Sequence, residues 1–385
     1  MKISFYYFST FSEPGFKSKE LKQISRSLKD NSVDAKFYCI GRKRRVFKNI
    51  VEYFLPFYIV KIAEKICKFI NIDTSIAYFI GEIAYGLNTI FDLIRDDSDI
   101  FIIKSRPYII ASILKFRKKN FWVELLECHP FFSYNQYIKA SKYVGFNNLH
   151  IYSFKKAIID ASKTLEIAEK VLVPSIYSKK TCIANGISRE KLELLQLSIP
   201  YSTKKTIFDE KESFNFISVA SHSLIKGTNI LIDCFMNNNF ANSNLIIAGP
   251  MANDIKKIYQ SRPLKKNILL PGTINPHDYL SKPNTIGILI SNAEGFPRSV
   301  AEYISYGCPV IVTNAATCDF IKNDVNGYVI NFLNENDLKL AINKYIKNKY
   351  IFEKQRKNNL KLLKNYYLEK LNYADNFMKI LNKNF

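Results

Sequence analysis

Short apolar runs alternate with stretches of helical spacing along the whole chain, and this alternation constrains the fold more than any other feature. The runs in the second half are residues 214–221, 244–250, 267–273, 285–291, 308–314 and 327–332. Such runs are typical of parallel strands, because helices cover both faces of a parallel sheet and both faces are then apolar. The pattern predicts an α/β protein with doubly wound sheets.

The first half of the chain shows the same alternation. Residues 2–8 and DAKFYCIG predict strands, and FKSKELKQISRSLKD between them has Leu21, Ile24 and Leu28 at helical spacing. Strand, helix and strand in this order open a parallel α/β domain. The same pattern begins again after residue 205. The apolar segment KLELLQLSIP is followed there by polar residues, so we place a domain boundary near residue 205. A length of 385 residues is sufficient for two domains.

The charge balance is strongly basic, with 56 Lys and Arg against 34 Asp and Glu and a net charge of +22. This favours polyanionic partners, namely nucleic acid, anionic lipid or phosphorylated substrates, although a biased genomic base composition explains a lysine excess equally well. The seven cysteines include no CxxC pair, which predicts reduced thiols in a cytosolic protein without a zinc site or disulfides. We expect neither a signal peptide nor a transmembrane helix.

Residues 41–70 form the most unusual segment. They begin with the basic cluster GRKRR and then place Lys61, Lys65 and Lys68 among apolar and aromatic residues. A basic amphipathic helix can lie on an anionic membrane surface. The alternative is a helix packed on the core with its lysines in water, and the sequence leaves both open.

Candidate ligand-binding residues follow several of the predicted strands. Open parallel sheets bind ligands beyond the carboxyl ends of their strands. Glu294 follows one run, and Lys226 follows another at a helix start, where its charge would neutralise a diphosphate. Further candidates at such positions are Gly15, His129, Gly249 and Thr273. Each residue alone has an ordinary structural explanation, and their joint placement favours a binding site.

The segment EGFPRSVAE carries the strongest chemical signal. Its carboxylates, Glu294 and Glu302, are eight positions apart, and Gly295, Phe296 and Pro297 lie at the start of a predicted helix. A helix start offers N–H groups that suit a phosphate or a sugar hydroxyl, and glycine lets the backbone approach a ligand. A carboxylate within the helix can accept hydrogen bonds from a vicinal diol such as ribose.

EGFPRSVAE followed by YGCPVIV resembles the signature of glycosyltransferase family 4, whose members are retaining enzymes with the GT-B fold. IKGTNIL, NLIIAGP, DVNGYVI and EKVLVPSIYSKK resemble less specific elements of that family, and the match covers the first domain only in outline. The resemblance implies two Rossmann-like domains facing across a cleft. Residues 1–205 would bind the acceptor, residues 206–362 would bind a nucleotide sugar, and residues 363–385 would form a C-terminal helix that packs back on the first domain.

The resemblance also implies roles for the candidate residues. Glu302 would bind ribose, Glu294 would contact hydroxyls of the donor sugar, and Lys226 would bind the diphosphate and stabilise it as it leaves. His129 would contact the donor sugar from the first domain. Further donor contacts would come from Gly15, Ser221, Gly249, Thr273, Gly295, Phe296 and Pro297. We expect Glu294, His129 and Lys226 to be the catalytic residues.

One feature departs from the family pattern. The family usually has an arginine a few residues before the lysine, but Ser221 and His222 occupy that region here, so one cation for the diphosphate is missing. No metal or other cofactor is expected, since the acidic cluster DDSD at residues 96–99 is better explained as a solvated turn. The nucleotide-diphosphate sugar would be a co-substrate.

The resulting hypothesis is a retaining, hexosyltransferase-like enzyme. It would move a sugar from a nucleotide-diphosphate sugar to a saccharide acceptor, lipid-linked and of the lipopolysaccharide, O-antigen or capsule type. It would be cytoplasmic and peripheral on the inner face of the cytoplasmic membrane through residues 41–70, without a nucleic-acid partner. One alternative is a basic protein that binds nucleic acid or an anionic surface and has no transferase activity. Another is a GT-B relative that hydrolyses or epimerises nucleotide sugars.

Overall fold

The computed structural model describes residues 1–11, 16–43, 45–47, 49–70, 75–104, 108–145, 155–368 and 373–385. The chain divides into two compact units. The first comprises Met1–Phe132, Asn148–Gln196 and Asn372–Phe385, and the second comprises Ser133–Asn147 and Leu197–Leu371. The chain therefore changes unit at residues 197 and 372, where the sequence places the changes at 206 and 363, and a short segment from the first half belongs to the second unit.

A sheet of eight strands lies at the centre of the described part of the first unit. In chain order the strands are β1 (Lys2–Thr10), β2 (Asp34–Ile40), β3 (Arg45–Phe47), β4 (Ile50–Tyr53), β5 (Ile100–Lys104), β6 (Phe121–Glu124), β7 (Lys170–Val173) and β8 (Leu192–Leu194). Their spatial order is β3-β4-β2-β1-β5-β6-β7-β8, and only the pair β3–β4 is antiparallel. Every residue of β5 and β6 is buried, as continuous apolar runs predict.

Helices connect these strands. They are α1 (Phe16–Asp30), α2 (Leu55–Phe69), α3 (Ser75–Asn88), α4 (Ile90–Arg95), α5 (Tyr108–Phe116), α6 (Pro130–Tyr143), α7 (Lys155–Ile167) and α8 (Ile176–Ala184). The predicted apolar positions of α1, Leu21, Ile24 and Leu28, are all buried. Most of α6 belongs to the second unit, where Ala140 packs with Leu224 and Ile255.

Residues 41–70 do not form one helix, so this part of the prediction was wrong. The strands β3 and β4 pair at the edge of the sheet, and the helix begins only at Leu55. Strand pairing is favoured over a helix here because the segments RVF and IVEY are rich in β-branched and aromatic residues and lie close together in the chain. Pro56 lies in the first turn of α2, where the missing N–H costs nothing.

The second unit contains a six-stranded parallel sheet. Its strands are β9 (Phe214–Val219), β10 (Ser243–Ala248), β11 (Ile268–Gly272), β12 (Thr285–Leu289), β13 (Val310–Thr313) and β14 (Gly327–Ile330). The spatial order β11-β10-β9-β12-β13-β14 is the order 3-2-1-4-5-6 of a Rossmann fold. All six predicted runs contain a strand, and the chain reverses its direction of winding between β9 and β12.

The helices of the second unit follow the same alternation. They are α9 (Thr228–Asn237), α10 (Asn253–Tyr259), α11 (His277–Leu280), α12 (Arg298–Ser305), α13 (Glu335–Lys347) and α14 (Lys349–Leu368). A core of Phe, Ile, Leu and Tyr side chains joins α9 and α13 to the strands. Both units are therefore Rossmann-like, which confirms the predicted fold class.

The last helix, α15 (Tyr373–Asn384), belongs to the first unit. Its inward residues are buried, and the Phe377 ring lies 5.8 Å from the Phe5 ring of β1. The Tyr373 hydroxyl donates to the Glu124 carboxylate of β6 at 2.6 Å. Across the described ranges, no helix combines the length and the apolarity needed to span a bilayer.

Candidate donor-binding site

The candidate site lies where β9 and β12 end, at the topological switch point of the second unit. Two hydrogen bonds join the loops after these strands. The Asn292 N–H donates to the Ile225 carbonyl at 2.9 Å, and the Ser291 hydroxyl donates to the same carbonyl at 3.2 Å. The Thr313 hydroxyl at the end of β13 donates to the Ser291 carbonyl. The three strand ends are thus held together at the edge where parallel sheets bind ligands.

Gly227 allows the two loops to approach closely. Its φ of +67° lies in the left-handed region, and a Cβ at this position would lie 2.7 Å from the Ile290 carbonyl oxygen. The preceding residue, Lys226, places its ammonium in an ion pair with the Glu294 carboxylate. The two side chains remain 26% and 11% exposed, so a ligand in solution can reach the pair.

Gly295, Phe296 and Pro297 connect the ion pair to α12. All three residues are buried, and the Phe296 ring meets the Phe320 ring edge-on with centroids 6.3 Å apart. Pro297 adopts an extended conformation and precedes the first helical residue. The Cys318 thiol donates to the Pro297 carbonyl at 3.2 Å, so the turn that leads from Glu294 into the first N–H groups of α12 is fixed by contacts with residues 318 and 320.

Glu302 lies in the second turn of α12 and is half-buried. Burial raises the pKa of its carboxyl, and the charges of His277 and Arg298 oppose this effect in part. The neighbouring Tyr303 fixes the helix, because its ring packs on Gly287 of β12 and its hydroxyl accepts the Val219 N–H of β9 at 2.7 Å. The carboxylate of Glu302 is therefore carried on a helix anchored to both strands of the switch point.

Residues 202–362 match the family model described as "Glycosyl transferases group 1". The match contains all six strands of the second sheet, the Lys226–Glu294 pair and Glu302. Residues 202–362 are therefore similar to the glycosyl transferases group 1 family, and we call them the group 1 domain for this match. The predicted resemblance to a glycosyltransferase family is thereby confirmed at the level of group 1.

Curated relatives match this chain over part of their length. An uncharacterised glycosyltransferase of Methanocaldococcus jannaschii is 26% identical over 229 residues, which are 58% of this chain and 55% of that protein. A UDP-Gal:alpha-D-GlcNAc-diphosphoundecaprenol alpha-1,3-galactosyltransferase of Escherichia coli is 34% identical over 116 residues, which are 29% of each protein. The chain spans about half or less of the length of these relatives.

Similar solved structures cover the whole chain. The lipopolysaccharide outer core galactosyltransferase WaaB has a TM-score of 0.66 at 16% identity, with 100% of both chains covered. HepE of Anabaena, solved with UDP and glucose, has a TM-score of 0.65 at 14% identity, with 100% of this chain and 99% of that chain covered. At these identities the likeness concerns the fold, which is GT-B.

His222 is a core residue of the group 1 domain and does not replace the missing arginine. Its Nε2 lies 3.0 Å from the Ala248 carbonyl, which can only accept, so Nε2 carries the proton. Its Nδ1 then accepts the Thr228 hydroxyl at 3.1 Å. Burial lowers the pKa of this imidazole, which keeps it neutral. The preceding residue, Ser221, is exposed and uncharged.

Gly249 and Thr273 lie at the same edge of the group 1 domain, after β10 and β11. A Cβ on Gly249 would lie 2.0 Å from the Ala220 carbonyl oxygen, so this position requires glycine for the approach of β10 to β9. The Gly249 N–H donates to the Gly272 carbonyl at 2.7 Å, and Thr273 is exposed just beyond it. β11 is two strands from β9, so Thr273 stands further from the switch point than Gly249 does.

His129 lies in the first unit and is almost fully buried. Its backbone N–H donates to the Thr181 hydroxyl at 3.0 Å, and its ring stacks on Phe131 with centroids 6.0 Å apart. Neither ring nitrogen bonds to a described residue. Burial lowers the pKa of the imidazole to about 4, so the ring is neutral at pH 7. Gly15 lies outside the described residues.

Sequence reasoning missed Gln136 and Asn292. The Asn292 amide, two residues before Glu294, donates to the Gln136 side chain of α6 at 2.5 Å. This bond joins positions 156 residues apart, and no local pattern indicates such a pair. The polar SNAE that follows an apolar strand is the signal that could have pointed to Asn292. Within the described residues, no group of three or more His, Cys, Asp or Glu side chains could hold a metal ion.

Proposed function

We propose that this chain is a retaining glycosyltransferase that moves a sugar from a nucleotide-diphosphate sugar to a saccharide acceptor. The observation that carries the proposal is the Lys226–Glu294 pair at the switch point of a Rossmann-like sheet. A cation and a carboxylate in contact suit a ligand that carries a diphosphate next to a sugar. The match of residues 202–362 to the glycosyl transferases group 1 model supports this assignment.

In this proposal each residue meets one part of the donor. Lys226 binds the diphosphate, Glu294 accepts hydrogen bonds from the hydroxyls of the sugar, and Glu302 accepts those of the ribose diol. The N–H groups at the start of α12 add partial positive charge, with Gly295, Phe296 and Pro297 as the backbone that approaches the ligand. Ser221, Gly249 and Thr273 complete the edge of the site.

Transfer then depends on electrostatic stabilisation. As the diphosphate leaves, the acceptor hydroxyl attacks from the same face of the sugar, so the configuration at the anomeric carbon is retained. Negative charge grows on the phosphate, and Lys226 stabilises it from a fixed position. A contact of the neutral His129 imidazole with the donor sugar stays a prediction of the family resemblance. The nucleotide sugar is a co-substrate, and no resident cofactor takes part.

We further propose that the acceptor is a lipid-linked saccharide of the lipopolysaccharide, O-antigen or capsule type. The galactosyltransferase of Escherichia coli that matches this chain is named for a UDP-sugar donor and a diphosphoundecaprenol acceptor. Residues 41–70 would then bring the protein to the inner face of the cytoplasmic membrane, where such acceptors are anchored. A UDP-sugar is accordingly the first donor to test.

A thermal-shift panel of nucleotide diphosphates and their sugars tests the donor site. A ligand present at 100 times its dissociation constant stabilises the folded protein by about 2.7 kcal/mol. We expect one nucleotide family to raise the Tm of the wild type and of the control Lys256→Met, whose side chain is exposed on α10. Lys226→Met should lose that shift.

Transfer to a lipid-linked acceptor is then measured with the stabilising donor. We expect Lys226→Met to lower kcat about 10²- to 10³-fold and the product to keep the anomeric configuration of the donor. An inverted product would overturn the retaining mechanism alone. If no nucleotide shifts the Tm while DNA is retained in a salt-sensitive manner, the chain is instead a polyanion-binding protein without transferase activity.

A further inference from the structure

Three neighbouring helices of the first unit expose two apolar stripes with the same spacing. On α2 the stripe is Leu55, Tyr58, Ile62, Ile66 and Phe69. On α3 and α4 it is Ile80, Ile83, Leu87, Phe91 and Ile94. Each set advances by three, four, four and three residues, which keeps its members on one side of a helix. The ten side chains are between 37 and 91% exposed.

The stripes lie on helices that pack against each other. Gly81 of α3 lets the helices approach, because a Cβ there would lie 2.2 Å from the Val60 side chain of α2. The opposite sides of both helices are buried through residues such as Val60 and Ala77. The inward sides already hold the helices on the unit, so the exposed apolar residues of the outward sides are not needed for packing within it. Exposed apolar surface of this extent marks an interaction site.

The charges on these helices favour an anionic partner. Lys61 and Lys65 of α2 and Arg95 of α4 are exposed. Lys61 pairs with Glu64 at 3.1 Å and Asp92 accepts the Tyr53 hydroxyl, which leaves Lys65 and Arg95 as the exposed cations beside the stripes. With a net charge of +22 on the chain, electrostatic attraction to anionic lipid adds to the apolar stripes.

We propose that the two stripes form a lipid-binding face that inserts into the interface of an anionic phospholipid bilayer. The insertion is apolar and involves α3 and α4 as well as α2, so it extends beyond residues 41–70 and does not depend on the GRKRR cluster alone. Tyr58 is an aromatic residue with a polar tip, which suits the level of the lipid head groups. This inference deepens the proposed function, because a lipid-linked acceptor lies at a membrane.

Vesicle co-sedimentation of the full chain, without donor or acceptor, tests the lipid-binding face. The probes are phosphatidylcholine vesicles with and without phosphatidylglycerol. The test variant Ile62→Glu/Phe91→Glu changes one exposed residue of each stripe, and the control Leu340→Glu/Tyr350→Glu makes the same change in charge on α13 and α14 of the second unit. We expect the wild type and the control to bind the anionic vesicles, and the test variant to bind at least about tenfold more weakly.

Insertion is distinguished from surface adsorption by a tryptophan probe. The single native Trp122 is buried in the first unit, so its emission provides a constant background. The emission of the tryptophan in Phe69→Trp should shift to shorter wavelengths on anionic vesicles, and brominated acyl chains should still quench it at high salt. The emission of Tyr350→Trp should neither shift nor be quenched. Equal binding of the two double variants, or release of all protein by salt, would overturn the proposal.

Sedimentation without lipid tests whether a second copy of the chain, rather than a bilayer, covers this face. If the wild type sediments as a dimer and Ile62→Glu/Phe91→Glu sediments as a monomer, the face belongs to a second copy of the chain and the lipid proposal is wrong. A monomeric wild type is the expected result. Because none of these measurements contains a nucleotide, their failure would leave the donor site untouched.

Discussion

At the scale of single residues, the described part of the candidate site contains Lys226 but lacks the arginine that the family it resembles usually has. Lys226 is paired with Glu294, and the region that usually carries an arginine contains the exposed Ser221 and the buried His222. These two positions differ in what an added charge would meet. A guanidinium at Ser221 can remain in water, while one at His222 would replace a neutral ring that satisfies two buried partners.

Ser221→Arg is expected to tighten the binding of a nucleoside diphosphate several-fold at low salt, with the gain falling as salt rises. The Tm without ligand should stay within about 1 °C of the wild type, because exposed substitutions are close to neutral. The control His222→Arg should lower the Tm by several degrees and give no tighter binding. Calorimetric titration at two salt concentrations checks both. Equal affinities of Ser221→Arg and the wild type would place this loop away from the phosphates.

Glu302 should show opposite effects on stability and on binding. Burial raises the pKa of its carboxyl in the folded protein above the ordinary value near 4.5, so the folded state binds this proton more tightly than the unfolded state does. The carboxyl therefore disfavours folding as pH rises from the unfolded pKa through the folded one. We expect Glu302→Gln to be more stable than the wild type at pH 7 and equal to it near pH 3.

The same variant should bind nucleotide more weakly at pH 7, because an amide offers a ribose diol only one acceptor oxygen. Urea unfolding at a series of pH values measures the stability difference, and the thermal-shift panel measures binding. Glu212→Gln, at an exposed carboxylate of the same unit, should change neither quantity. A Glu302→Gln variant that is less stable than the wild type at pH 7 would contradict the assigned direction of the pKa.

At the scale of elements, the strands of the second sheet were predictable because both faces of each strand are covered. All six apolar runs contain a strand, and the helix after Pro297 begins where the turn residues indicate. Residues 41–53 were not predictable from helical spacing, since β4 depends on its pairing with β2 and β3 depends on its pairing with β4 at the edge of the sheet. The sequence indicated Lys226 and Glu294 as separate candidate residues, each after its own predicted strand, and the structure joins them in an ion pair. The Asn292–Gln136 bond depends on tertiary packing alone.

A buried charge cluster joins the elements of the first unit. The Lys104 ammonium at the end of β5 lies 2.9 Å from the Glu124 carboxylate and 3.6 Å from that of Glu20 in α1. Glu124 also accepts the hydroxyls of Tyr7 and Tyr373, each at 2.6 Å. Burial alone would raise the pKa of Glu124, but Lys104 and the two hydroxyls lower it below its ordinary value.

Lys104→Met should therefore destabilise the first unit by about 3–5 kcal/mol, because it leaves two carboxylates buried without their cation. The control Lys383→Met removes an ammonium 2.9 Å from Glu193 at the surface and should cost less than about 1 kcal/mol. Since the folded pKa of Glu124 is depressed, its contribution is present above about pH 4.5 and is lost as pH falls through the folded pKa. Urea unfolding at pH 7 and pH 3 checks both the size and the loss of the difference.

At the scale of the whole molecule, the alternation of strands and helices predicts two α/β domains with doubly wound sheets, and the family resemblance implies that both are Rossmann-like. The return of the last helix to the first domain was implied only by the family resemblance, because nothing in ADNFMKILNKNF specifies its partner. The structure gives α15 to the first unit, where Tyr373, Phe377 and Leu381 are buried. A segment at the end of the chain thus completes the core that the beginning of the chain starts.

Deletion of residues 373–385 should abolish the cooperative folding of the first unit and leave the group 1 domain able to bind nucleotide. The deletion removes six buried side chains, each worth about 1.5–3 kcal/mol when large and apolar, which is comparable with the whole stability of a domain. Trp122 is the only tryptophan and lies in the first unit, so a red shift of its emission reports the loss of that unit. A nucleotide-dependent Tm reports the second unit independently. Lys379→Ala, at an exposed position of the same helix, is the control and should preserve both signals. Native Trp122 emission with an unchanged melting transition in the deletion would show that α15 is dispensable for the first unit.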